Sequence, residues 1–140
     1  MIFLTIPEVQ EQIPADQLLV WCKGDLNKLD TYEKSAIQLV ESYLSAKYDC
    51  AIIFDNESTY ACKELVKELL IDIVIYKAAK ANLNPRMLPE ERMNAHDYAI
   101  KEFNNWAGDK RNPQGLPLKD LEQKSVSVKV GSNTKKSYKW

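Results

Sequence analysis

Glycine and histidine are scarce in this chain, with four glycines and one histidine in 140 residues. Neither GxGxxG nor a GKS or GKT run is present, so phosphate-cradling nucleotide loops are excluded. With His96 as the lone histidine there is no HExxH and no Cys/His ligand set for zinc. Cys22, Cys50 and Cys62 are odd in number, widely spaced and set in apolar sequence, without CxxC. They read as buried free thiols of a reducing compartment and not as a secreted disulfide framework. The opening MIFLTIPEVQE has no basic segment and no long apolar run, so no signal peptide is expected and the chain should be intracellular when made. No paired carboxylates and no nucleophile with its base stand out. The expectation is therefore no enzyme, no catalytic residue, no cofactor and no metal site.

What is present fits one domain. A length of 140 residues buries an ordinary core without disulfides. Values of 45% hydrophobic and 28% charged residues are globular, not disordered. The net charge of −1 is unevenly placed. Six lysines stand against Asp120 and Glu122 over residues 119–140, a net of +4, which leaves −5 on residues 1–118. β-branched residues do not form repeated alternating runs, so a mainly α fold is favoured. The expected organisation is a helical domain over residues 1–118, a compact bundle of about three long and two short helices. A basic, extended or disordered C-terminal arm over residues 119–140 follows it.

The hub is the stretch CKELVKELLIDIVIYKAAKA, residues 62–81. It predicts one helix from near Ser58 to Asn82, about 35 Å long at 1.5 Å per residue. Cys62, Leu65, Val66, Leu69, Ile73 and Tyr76 fall in one stripe, widened by Leu70 and Val74, as a core face should. Glu64, Lys67 and Glu68 mark the opposite, solvated side. Ile71 and Ile75 also lie on that side, so a second cover is implied, and a neighbouring subunit packed on these two residues is the expected one. Seven charged residues within the stretch rule out a membrane span.

The flanking segments punctuate clearly. Thr5 with Glu8 makes a capping box, with Pro7 in the first turn of a short helix that Ile13-Pro14 interrupts. A second short helix with Leu18, Leu19 and Trp21 stops at Gly24. Asp25, Asn27 and Asp30 lack the glycine and terminal glutamate of a calcium loop and read as a turn. Asp30 as N-cap and Glu33 three residues on predict a third helix to about Tyr48, with Tyr32, Ala36, Leu39, Val40, Tyr43 and Leu44 in its stripe and Lys47 snorkelling to the rim. Residues 49–56 hold Ala51-Ile52-Ile53-Phe54, a strand-like piece or a loop pinned by its apolar side chains. After Pro85 and Pro89, acidic Glu90-Glu91 opens a helix to about Ala107, with Met93, His96, Ile100, Phe103 and Ala107 on its core face. His96 on that face is a hydrogen-bonded packing residue.

The tail changes period. Val126, Val128 and Val130 alternate with Ser125, Ser127 and Lys129, and Tyr138 and Trp140 follow among lysines. These five apolar residues are either part of a disordered tail or the anchors of a partner-docking arm. A basic tail without a reading helix gives no sequence-specific nucleic-acid binding.

Two runs carry a family resemblance: Phe3-Leu4-Thr5-x-x-Glu8-Val9, and Val40-Glu41-Ser42-Tyr43-Leu44-Ser45-Ala46-Lys47-Tyr48. With the hub from Lys63-Glu64-Leu65-Val66 to Tyr76, and the helix from Glu91-Arg92 through Tyr98-Ala99-Ile100 to Trp106-Ala107, the chain resembles the head–tail connector proteins of tailed bacteriophages. It is closest to the Mu-like virion connector group, whose members share an SYLxxRY helix end. The resemblance covers residues 3–118. Lys47 stands where the family commonly has arginine, and Gly108-Asp109-Lys110 and Gly115-Leu116-Pro117 match its closing turns loosely.

The resemblance implies a structural, homo-oligomeric ring, typically of twelve copies, between the portal protein and the neighbouring tail or stopper ring proteins. It places the protein in the virion at the head–tail junction, and in the host cytoplasm during assembly. The alternative from the residues alone is a small cytosolic helical adaptor or regulatory module that grips one partner through its C-terminal arm.

Overall fold

A computed structural model of the chain describes residues 1–119. They form six α-helices: α1 Ile6–Gln10, α2 Ala15–Trp21, α3 Lys28–Leu44, α4 Cys50–Ile53, α5 Lys63–Asn82 and α6 Glu90–Ala107. A 3-10 turn at Pro85–Met87 joins the last two. The fold is mainly helical, with three long helices as the periodicity requires and one short helix more than expected. α5 packs against both α3 and α6, those two meet each other, and α2 closes on α5. No described helix is long and apolar enough to cross a membrane.

Local chemistry sets most of the boundaries. The Thr5 hydroxyl accepts from the Glu8 amide while the Glu8 carboxylate accepts from the Thr5 amide at 2.9 Å, the reciprocal cap that starts α1. Past α2, Lys23 and Gly24 turn left-handed at φ 53° and 81°, and the Gly24 amide returns to the Leu19 carbonyl at 2.8 Å. The apolar run after Asp49 is neither strand nor loop but the single helical turn α4. The Asp49 carboxylate caps it by accepting from the Ile52 amide, and Cys50 and Ile53 go inward. α5 starts at Lys63 and not near Ser58, because residues 55–62 are held in turns. There the Ser58 hydroxyl donates to the Ile52 carbonyl at 2.6 Å, and the Lys63 ammonium reaches the Asn56 carbonyl at 2.7 Å.

Ile71 and Ile75 do not lie on the surface, where a neighbouring subunit was expected to pack on them. Both are buried within the single chain, at 3% and 0% exposure. Their second cover is the chain's own N-terminal segment: α1 lies beside Ile71, with Glu8 paired to Lys67 at 2.7 Å, and α2 packs on α5. Conversely Leu65 and Met93, placed in core stripes by period alone, are 42% and 41% exposed. The buried stripe of α6 is Ala99, Glu102, Phe103 and Trp106, one step round from the expected face.

Glu33 holds the N-terminal segment in place. It was expected to close a capping box with Asp30, but α3 begins at Lys28, upstream of that box. Glu33 is instead 1% exposed, and its carboxylate accepts from three successive backbone amides: Ile2 at 2.8 Å, Phe3 at 3.1 Å and Leu4 at 2.6 Å. A buried carboxylate is tolerated only when such donors satisfy its lone pairs. Phe3, fixed by this grip, meets Phe54 edge to face with centroids 5.4 Å apart, tying the N-terminus to the end of α4. Each hydrogen bond to a charged group contributes about 1.5–3 kcal/mol. Glu33→Ala orphans three donors at once and is expected to lower stability by about 3 kcal/mol in urea unfolding. Glu33→Gln, which puts an NH2 against a backbone N–H, should be nearly as harmful; wild-type stability for both variants would contradict the role given to Glu33.

Candidate functional site

The most constructed surface of the molecule is the junction where the chain leaves the bundle. α3 ends at Leu44, four residues short of the expected Tyr48, and the freed residues pair with the segment after α6. The Asp49 amide donates to the Pro117 carbonyl at 3.0 Å, the Lys119 amide donates to the Lys47 carbonyl at 3.1 Å, and Tyr48 faces Leu118 in an antiparallel bridge. Lys47 does not simply snorkel to water. Its ammonium pairs with Asp109 and donates to the Asn112 side-chain oxygen at 3.1 Å, so the helix end grips the loop after α6. Asp109 sits in the left-handed region at φ 61°, a conformation that aspartate tolerates. Behind the loop, Arg111 donates to the buried Glu102 carboxylate at 2.8 Å beside Trp106.

The other polar features are edge clamps. His96 is half-buried at the rim of α6 and not in the core. It stacks on Tyr76 with centroids 3.9 Å apart, and its Nδ1 lies 3.1 Å from Asp97. Arg92 donates to the Gln12 carbonyl at 2.9 Å and reaches within 4.0 Å of Asp72. Burial pushes the Asp72 carboxyl up against the pull of that guanidinium. Burial also acts to raise Glu8, but Lys67 and Thr5 prevail and hold its carboxyl below the usual range. Glu8, Glu11, Glu64 and Glu68 line an acidic groove of about 380 Å³ between α1 and α5, partly neutralised by Lys67.

The three free thiols are set back from reactivity. Burial first, then Glu41 and Asp49, pushes Cys50 up to about 11, and burial raises Cys22 and Cys62 as well, so all three are protonated at neutral pH. Among the described residues no group of three histidine, cysteine or carboxylate side chains is placed to hold a metal ion.

Of the residues singled out from sequence, Ile71 and Ile75 are core, and Val126, Val128, Val130, Tyr138 and Trp140 lie outside the described residues. The sequence singles out Lys47 and the Gly108 and Gly115 turns separately, not as one junction. No short stretch of sequence signals their contact, since 65 residues separate Lys47 from Asn112. No protein-family model, curated protein or solved structure matches the chain.

Gly115 allows the junction to close. It adopts φ 82°, and a Cβ there would lie 2.8 Å from the Ala61 Cβ. A left-handed non-glycine residue costs about 1–2 kcal/mol before any clash. Gly115→Ala is expected to lose about 2–3 kcal/mol in denaturant unfolding once the contact is added. The amides of Asp49 and Lys119 should also exchange faster with solvent. An unchanged midpoint and unchanged exchange would contradict the close approach.

Proposed function

We propose that this chain is a structural subunit of a phage or prophage virion, a head–tail connector that forms a ring between the portal and the tail. The observation that carries the reading is the meeting of its two distant landmarks. The SYLSAKY helix end, residues 42–48, and the closing turns, residues 108–117, are gripped together through Lys47, Asp109 and Asn112. The family that the chain resembles commonly has arginine where Lys47 stands, and lysine here keeps the charge while losing bidentate geometry. The mainly helical bundle also suits a rigid ring wedge, and the junction presents the root of a basic arm on its surface.

The buried state of Ile71 and Ile75 moves subunit packing to other faces. Exposed apolar residues such as Val20, Met87 and Tyr98, at 64%, 68% and 54% exposure, are available to it. In this reading the partners are further copies of the chain, the portal protein and the next ring of the tail. The alternative, a cytosolic adaptor gripping one partner with its arm, has no separate observation in its favour.

The test is assembly with the portal protein encoded in the same genome. Mixed with portal rings, the full chain is expected to give a closed annulus on the portal face, seen by electron microscopy and as a discrete mass. Persistent failure to bind the portal, with the chain folded, would overturn the reading.

A further inference from the structure

The shallow groove between α3 and α4, about 320 Å³ in volume, has two unlike ends. Lys34, Ile37, Gln38 and Glu41 line it from α3, spaced as one helical stripe about 10 Å long. Lysine stands at one end of the stripe and glutamate at the other, over an apolar floor of Ile37 and Phe54. Among the described residues neither Lys34 nor Glu41 takes part in an ion pair.

The flanking residues differ in the same sense. Ile2 belongs to the lysine end, because its amide donates to Glu33, the residue before Lys34, at 2.8 Å. Its side chain projects there with 65% of its surface open. Ala51 belongs to the glutamate end, where the Glu41 charge acts on the thiol of its neighbour Cys50. It is small and exposed. A half-turn about an axis midway between residues 37 and 38 exchanges these two ends. Two copies laid face to face about such an axis, with their α3 helices antiparallel, therefore complement each other as an isologous pair. Lys34 of each copy meets Glu41 of the other, and each Ile2 is carried to the other's Ala51. Parallel α3 helices would instead set lysine on lysine and glutamate on glutamate, which is unfavourable.

We propose that the α3–α4 groove is a two-fold docking surface for a second copy of this chain. Reciprocal Lys34–Glu41 pairs set its register over the Ile37 and Phe54 floor, and each Ile2 seats against the other copy's Ala51. A patch built on two turns of helix is small, so the dimer is a weak, exchanging one. The pairing uses none of Val20, Met87 and Tyr98, and it stands or falls apart from the virion role.

The test is a charge swap in the full chain, read by sedimentation at low salt from about 1 µM to about 500 µM. The wild type should show a monomer–dimer equilibrium. Lys34 is exposed and Glu41 half-buried, so Lys34→Glu and Glu41→Lys should each keep the helical circular dichroism spectrum. Each reversal turns both symmetry-related pairs repulsive and should weaken the dimer about tenfold. The double variant, Lys34→Glu with Glu41→Lys, should return to wild-type affinity. An equimolar mixture of the two single variants should form a heterodimer at least as tight as wild type, because an all-acidic stripe then meets an all-basic one. A wild type that stays monomeric throughout would overturn the proposal. So would association that ignores the single reversals, or a double variant and a mixture no tighter than the single variants alone.

Discussion

The second half of α5 is apolar nearly all round, and the other helices cover it. Ile73, Val74, Ile75, Ala78 and Ala79 are fully buried and Ile71 nearly so. α3 and α6 clasp two flanks, which leaves a third for short helices that have little stability of their own. Polar contacts at the edges hold those helices down. Glu33 gathers the amides of residues 2–4, Lys67 takes Glu8, and Arg92 reaches over α5 to the Gln12 carbonyl. Burial of the hub and the polar grip on the N-terminal segment therefore meet on the same flank of α5.

That arrangement separates the two ends of the chain in role. The N-terminal residues are consumed in closing the core. Residues 117–119 are instead locked against residues 47–49. The hub is kept off the surface of the single chain.

Periodicity and capping made the long helices legible, and the Thr5–Glu8 box and the stop at Gly24 followed from local chemistry alone. Ile71 and Ile75 mark the limit of that reasoning. Their apolar surplus correctly announced a second cover, but spacing along a helix does not say whether the cover is another chain or residues 60 positions upstream. Glu33 failed for a related reason, since the local pattern with Asp30 was satisfactory and nothing nearby signalled three amides from the chain start. Leu65 and Met93 lie in the first turns of their helices and are exposed there, so a correct period does not guarantee burial. The junction depended on one ion pair and one antiparallel bridge between distant loops, which no short window contains.

The account rests on the hub being covered by its own chain. Amide hydrogen exchange, followed at a dilution where the protein is monomeric and again at high concentration, tests this directly. The slowest amides should be those of α5 between Leu69 and Ala79, protected to the full unfolding free energy and equally so at both concentrations. Protection of those amides that appears only at high concentration would mean that a second subunit completes the core, and would contradict the account.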